Sequence, residues 1–175
     1  SINLSGLEKN PGFKLTLPLI QHGLYALEFG DIFMRCVYAT RPYEAVAGST
    51  DELHEKWKKE VIAFITQKKM LSHGKFKKMC REIIRDFDNL PRKDIKKPRV
   101  GVVGEILVKF HPAANNHLVE LLESEGAEAV VPDLTDFLLY CFYNTGFKAD
   151  NLGMSQKSKK IGRLGINFYH SDRKS

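Results

Sequence analysis

The stretch RVGVVGEILVKFHPAANNHLVELLESEGAEAVV, residues 99–131, decides the fold class. It begins with a valine-rich run at 99–103 and ends with a second at 127–131, and each run is typical of a short buried strand. Between them, the apolar residues of 115–125 fall on one side of a helix that Gly126 closes. Two strands joined by a helix form a βαβ unit, whose strands pair in parallel. We therefore predict an α/β fold with a small parallel sheet of the Rossmann-like or flavodoxin-like type.

The region before this stretch has the periodicity of helices. Residues 15–39 are apolar nearly all round, which predicts one covered helix or a pair of helices broken near Gly23 or Gly30. The sequence STDE at 49–52 is a helix-start signature, in which the serine accepts from the backbone and the glutamate reaches back. Two amphipathic helices follow, with lysines outward and apolar stripes at Leu53, Trp57, Val61, Phe64 and Ile65 and at Phe76, Met79, Cys80, Ile83, Ile84 and Phe87.

A change in composition divides the chain into two segments. The polar, proline-bounded sequence NLPRKDIKKP at 89–98 is typical of a connector. We predict a helical segment with this connector at 1–98 and an α/β segment at 99–175, packed together as one unit. Because the chain begins with SINL and no methionine, we expect a piece of a larger protein, with SINL left from a strand of the preceding unit.

Two further helices are predicted after the second strand. Pro132 ends that strand, and Asp133 or Thr135 can cap a helix that continues through Tyr143. The apolar spacing within 153–170 predicts a last helix with a basic outer face.

Composition and charge limit the classes of partner. Of 175 residues, 43% are hydrophobic and 27% are charged, which suits a globular chain with a substantial core. The net charge of +6 comes from the flanks of the 99–150 region. Aromatic residues do not interleave with the lysines, so we do not expect a nucleic-acid partner. Residues 17–39 are long enough to span a bilayer but contain Glu28, Asp31 and Arg35, so we expect no membrane partner.

The three cysteines indicate neither a disulfide framework nor a metal site. Cys36, Cys80 and Cys141 are widely spaced, and no histidines cluster with them. This usage suits a reducing, cytoplasmic location. All three lie in apolar surroundings in the sequence, so we expect them to behave as small hydrophobic core residues.

The loop after the first strand carries the candidate site. Its glycines match neither a dinucleotide fingerprint nor a P-loop, so Gly104 is interpreted as the point where the chain turns out of the strand. Ligands of open α/β sheets bind beyond the carboxyl ends of the strands. Asn115 or Asn116 would equally suit a helix N-cap, and His111 a turn. No catalytic residue is marked; the candidate substrate-binding residues are Gly104, Glu105, Lys109, His111, Asn115 and Asn116.

Several strings in the chain together resemble one family. They are NPGFKLTLPLI at 10–20, GDIFMRCVYATRPYE at 30–44, DFDNLP at 86–91, KPRVGVVGEILVKFHPAANNHLVELLESEGAEAVVPDLTDFLLYC at 97–141 and KSKKIG at 157–162. These strings are similar to the late portion of the large fused activators of 2-hydroxyacyl-CoA dehydratases, also called CoA-substrate-specific enzyme activases. The resemblance covers about residues 1–170, and its longest string is far more specific than any short motif.

The resemblance implies a larger parent protein of anaerobic metabolism. In that parent, an ATPase of the actin and sugar-kinase type is joined to regions similar to the dehydratase subunits. The dehydratases remove water from 2-hydroxyacyl-CoA by a radical route, after ATP-driven transfer of one electron to an iron-sulfur protein. The present chain resembles the dehydratase-like region, so a [4Fe-4S] cluster and ATP are expected in the parent and no cofactor in this chain. Where dehydratase subunits place their third cluster cysteine, this chain has Thr135.

The function implied is an accessory one, without catalysis by this chain alone. We expect a dehydratase-like, non-ATPase domain that binds a CoA thioester or docks partner subunits, other domains of the parent, or a second copy as a homodimer. In the CoA version, Lys109 contacts a phosphate, the asparagines and a helix start donate hydrogen bonds, and Glu105 and His111 orient groups or handle protons. The alternatives are a purely structural interaction module and a module that binds polyanions through its lysine faces. Which acyl-CoA is handled stays open.

Overall fold

The computed structural model describes residues 16–151, which are mostly helical and include one small sheet. The predictions for SINL and for a helix at 153–170 lie outside these residues. Two compact units are separated between Val131 and Pro132. The helices and strands are α1 (Leu17–Thr40), α2 (Ser49–Ile65), α3 (His73–Asp88), β1 (Arg99–Gly101), α4 (Ile106–Phe110), α5 (Leu118–Ser124), β2 (Glu128–Val130) and α6 (Leu134–Asn151), with 3-10 turns at Arg41–Tyr43 and Pro112–Ala114.

The apolar segment near the start forms one helix, α1, and not a broken pair. The Thr16 hydroxyl caps it by accepting from the Leu19 amide at 3.4 Å. The helix continues through both of its glycines, although a glycine inside a helix costs about 1 kcal/mol relative to alanine. Packing of its apolar side chains against two further helices supplies the compensating stability. None of the helices among residues 16–151 is both long enough and apolar enough to cross a bilayer.

The helices α1, α2 and α3, called the three-helix region below, enclose an aromatic core. Phe29 is at its centre, with its ring edge-on to Phe76 at 5.0 Å and to Phe64 at 6.3 Å between centroids. The predicted stripes are confirmed except at Ile84, which is 44% exposed because it lies one position off the face that Ile83 buries completely. The buried members are Tyr25, Phe29, Phe33, Val37, Trp57, Val61, Phe64, Leu71, Phe76, Met79, Ile83 and Phe87.

The start of α2 differs from the predicted capping box. Ser49 is the first helical residue, and no cap bond from a side chain of the predicted signature is present there. The Glu44 carboxylate takes that role, accepting from the Gly48 amide at 2.7 Å and from the Thr50 amide at 3.1 Å. Glu44 reaches these amides because the 3-10 turn folds the chain back just before α2.

The two strands pair in parallel, as predicted. The register places Arg99 opposite Glu128, Val100 opposite Ala129 and Gly101 opposite Val130. The general α/β class is therefore confirmed, in the form of a helical chain with a two-stranded sheet.

The prediction that the first strand is buried is wrong. All three residues of β1 are exposed, and only Val102, just beyond it, is buried. Val102 joins a small second core with Val119 of α5 and with Ala129 and Val131, and that core is completed by partly buried Met34 and Tyr38 from α1. One face of the sheet is therefore covered, while on the other face Gly101 and Val103 are exposed and Arg99 pairs with the buried Glu128 of β2.

The connection between the strands contains more helix than the predicted loop. The short helix α4 follows β1, and α5 covers a smaller range than the predicted 115–125. Gly104 has φ +147°, a value that side-chain-bearing residues rarely adopt, which confirms it as the point where the chain turns out of the strand. Gly126 follows α5 at φ +87°, in agreement with the predicted helix end.

The helix predicted after the second strand is present as α6 and is longer than expected. It begins at Leu134 and ends at Asn151, beyond the predicted end at Tyr143. Cys141 on this helix is exposed, so its prediction as a core residue is wrong. The aromatic and aliphatic neighbours that suggested burial include Tyr140 and Tyr143, which are themselves exposed.

Candidate functional site

Two of the six candidate residues in the loop after β1 hold the loop's own backbone. The Glu105 carboxylate caps α4 by accepting from the Leu107 amide at 2.9 Å. Asn115 donates to the Val108 carbonyl at 2.9 Å and accepts from the Leu118 amide at 3.1 Å. The residue at the N-cap position of α5 is His117, so the N-cap interpretation of Asn115 and Asn116 is wrong in position, although the Asn115 side chain does accept from the first helical amide. Its amide group ties the end of α4 to the start of α5.

The remaining polar candidates lie on the surface of the same loop. His111 is exposed between α4 and the 3-10 turn, and its carbonyl accepts from the Ala114 amide at 2.9 Å. Asn116 is exposed and has φ +54°, a left-handed conformation that asparagine tolerates better than most residues. Half-buried Lys109 places its ammonium 5.2 Å from the centre of the Phe110 ring.

The helix start that was expected to donate to a ligand is short and already engaged. The helix α5 has seven residues, and its first amide, on Leu118, donates to Asn115. The loop thus presents three surface side chains, Lys109, His111 and Asn116, and not a ring of convergent backbone donors. Such a set can offer a cation and hydrogen-bond partners to a phosphate.

A buried carboxylate beside the sheet was not found from the sequence. Glu128 of β2 is 9% exposed, accepts from the Tyr43 hydroxyl at 2.8 Å and pairs with the Arg99 guanidinium at 3.0 Å. These bonds fasten the 3-10 turn after α1 to both strands. The only sign in the sequence is a glutamate inside the otherwise apolar run AEAVV at 127–131.

A second ion-pair cluster joins the helical region to α5. Arg41 contacts Asp51 at the start of α2 at 2.8 Å and Glu123 of α5 at 3.3 Å. Burial raises the pKa of Glu123 above its usual range, and the opposing effect of Arg41 does not cancel that rise. Both clusters connect elements within the first unit, and we assign them a structural role.

Two of the three cysteines are half-buried and pack against the helical core. Burial raises the pKa of Cys36 to about 11 and that of Cys80 to about 12. Among residues 16–151, no group of three or more cysteine, histidine or acidic side chains is placed to hold a metal ion.

An apolar patch adjoins the open face of β1. Val103 is 81% exposed, and Leu107 and Val108 of α4 are exposed beside it. Val108 lies close to the strand exit, because a Cβ atom added at Gly104 would be 3.8 Å from its side chain. We call Val103, Leu107 and Val108 the β1 patch.

Comparison of the chain with protein-family models, with curated protein sequences and with solved structures found no match.

Proposed function

We propose that the chain is an accessory, non-ATPase docking module of the 2-hydroxyacyl-CoA dehydratase activase type. It binds a neighbouring strand-bearing region of the same activase through β1 and the β1 patch. The observation that carries this proposal is the exposure of β1, a parallel strand, on the face opposite its small core.

Parallel strands support the proposal because they occur almost only in sheets that are covered on both faces. Here the covered face of β1 contributes Val102 to a core, whereas the opposite face offers Gly101 and exposed Val103 to solvent. Within residues 16–151, β1 pairs with β2 on one side and with no strand on the other. An unpaired strand edge beside apolar side chains is a template for a further strand.

The resemblance to the activases identifies the occupant. The dehydratase-like regions of such a parent would supply further βαβ units, and a Rossmann-like sheet would continue past β1 with another parallel strand. On this proposal the two-stranded sheet is one end of a larger sheet that forms with the parent.

Titration calorimetry of the chain against the remaining activase polypeptide, expressed separately, tests this function. We expect binding by the unaltered chain and at least tenfold weaker binding by the double variant Val103→Ser/Leu107→Ser. The control is Ile62→Ser, which changes an exposed aliphatic residue on α2 and leaves affinity unchanged. Absence of binding, or equal weakening by the control, would overturn the proposal.

A second candidate function, the binding of a CoA thioester, is favoured by one observation. Lys109, His111 and Asn116 lie beyond the carboxyl end of β1, where ligands of α/β sheets bind. Thermal unfolding with acetyl-CoA and with free CoA tests it. We expect a rise in the melting temperature that Lys109→Ala abolishes and Lys56→Ala, on α2, preserves. No rise with either compound would refute CoA binding and leave docking untouched.

A further inference from the structure

We propose that one end of the three-helix region docks on an anionic lipid surface. This end consists of Leu17, Leu19, Ile20, Lys68, Lys69 and Met70, and we call it the basic end. It lies on different elements from the β1 patch and does not depend on the docking function proposed above.

Side-chain hydrogen bonds bring the two parts of the basic end together. The Gln21 side chain donates to the Leu71 carbonyl at 3.2 Å and accepts from the Leu71 amide at 2.8 Å. His22 bonds the Lys69 carbonyl at 3.1 Å through its Nε2 atom. The first two turns of α1 therefore lie beside the segment that links α2 to α3.

The segment between α2 and α3 that forms part of the basic end contains lysines and no acidic residue. Between Val61 and Arg81 the chain has no aspartate or glutamate, and the first acidic residue of α1 is Glu28. The start of a long helix such as α1 adds a partial positive charge at the same end. Of the cationic side chains in this stretch, Lys68 and Lys69 belong to the basic end, whereas Lys75 and Lys78 line a groove that also contains Glu60 and Glu82.

Aliphatic side chains project among these charges. Leu17 is 76% exposed and Met70 is 57% exposed, with Leu19 and Ile20 less so. Exposed aliphatic groups surrounded by lysines suit the boundary between lipid headgroups and acyl chains, where the apolar groups insert and the lysines meet anionic headgroups. The expectation of no membrane partner rests on the cost of burying Glu28, Asp31 and Arg35 in a spanning helix, and that cost does not arise when only the basic end enters the headgroup layer.

The composition of the basic end favours lipid over nucleic acid. Proteins that hold single strands stack bases on aromatic side chains, and none of the six residues that form this end is aromatic. The nearest aromatic residue of α1, Tyr25, is buried against Phe76. Lysines with aliphatic neighbours suit a lipid surface, which has anionic headgroups above an apolar layer.

Sedimentation of the full chain with vesicles tests this inference. The vesicles contain phosphatidylcholine with about one-third phosphatidylserine, and pure phosphatidylcholine vesicles serve as the neutral comparison. We expect salt-sensitive binding to the anionic vesicles alone. Lys68→Gln/Lys69→Gln should weaken it about 25-fold, from about fivefold for each lysine removed near the surface. The matched control Lys56→Gln/Lys59→Gln removes two exposed lysines from the earlier part of α2 and should change binding by less than about threefold.

A second pair of variants separates insertion from charge alone. Leu19→Ser/Met70→Ser leaves every charge in place and should weaken binding about tenfold, because two aliphatic groups no longer enter the boundary. Circular dichroism melts verify that each variant is folded. No binding to anionic vesicles, equal loss in the two lysine variants, or binding unaffected by the serine variant would overturn the inference. So would binding to a single-stranded oligonucleotide, lost in Lys68→Gln/Lys69→Gln, without any binding to vesicles.

Discussion

The helical region at 17–90 and the sheet region at 99–131 bury their apolar residues to very different extents. The helices enclose a continuous aromatic core of their own. The sheet region has a core of four buried residues, relies on Met34 and Tyr38 of α1, and exposes β1. The difference teaches that the helical region is stabilised from within, whereas the sheet region depends on α1 for part of its core and leaves β1 exposed.

The largest effect is expected for the helical core. Ile83→Ala should lower the free energy of unfolding by about 2–5 kcal/mol, because Ile83 is fully buried and its loss leaves a cavity. Ile84→Ala is the matched control, since Ile84 is 44% exposed, and it should cost less than about 1 kcal/mol. Urea unfolding measures both. Similar losses in the two variants would show that the enclosed core is wrongly placed.

The next effect tests the joint between the two regions. Glu128→Gln should destabilise the chain by about 1–3 kcal/mol. The neutral amide cannot form the ion pair with Arg99, and its oxygen accepts a weaker hydrogen bond from the Tyr43 hydroxyl than a carboxylate does. Exposed Glu125→Gln, three positions earlier in the chain, provides the control and should change stability by less than about 0.5 kcal/mol. If urea unfolding shows no difference between these variants, the carboxylate does not fasten the sheet to the helical region.

A smaller effect is expected at the start of α2. Glu44→Ala should cost about 0.5–2 kcal/mol through loss of a cap, whereas Glu52→Ala, at the position of the predicted capping box, should cost less. Burial by itself raises the pKa of Glu44, but hydrogen bonds from the Gly48 and Thr50 amides outweigh it, so the net shift is downward.

The lowered pKa of Glu44 sets the sign of a pH dependence. Its contribution is complete above the ordinary carboxyl pKa and is lost as pH falls through the lowered folded value. The stability difference between the unaltered chain and Glu44→Ala should therefore shrink below about pH 4.5. Unfolding measured across pH 3–7 tests this; a difference that grows toward low pH would contradict the cap.

The smallest effect on stability is expected on the open side of the sheet. Val103→Ser should change the free energy of unfolding by less than about 0.5 kcal/mol, because Val103 has little to lose at 81% exposure. Val102→Ala, on the covered face, should cost about 1.5–3 kcal/mol. A large loss for Val103→Ser in urea unfolding would mean that its face is already covered within the chain.

Periodicity predicted the parts of this fold that depend on local sequence. The stripes of α2 and α3 and the parallel pairing of the strands follow from residue spacing. The Glu44 cap and the Glu128 cluster could not be predicted, because each depends on the turn at Arg41–Tyr43 returning the chain to elements that are distant in sequence. The exposure of β1 could not be predicted, because a valine-rich run indicates a strand but does not show which other elements cover it.

In the candidate site, too, the sequence predicted some features and missed others. The sequence indicated a capping residue near Asn115, and its side chain does accept from the first amide of α5, but the N-cap position itself is occupied by His117. Glu105 was interpreted only as a ligand-binding residue, since the short helix that it caps was not predicted. The resemblance to the activases stays a prediction, and the docking function is proposed with it.

Amide hydrogen exchange of the chain alone, resolved by NMR, tests the contrast between the regions most directly. We predict that the Gly101 and Val103 amides, on the open side of β1, exchange at least about a hundredfold faster than the amides of Phe29 and Ile83 in the helical core. Protection of Gly101 and Val103 equal to that of the helical core would contradict the account, because β1 would then already be covered in the isolated chain.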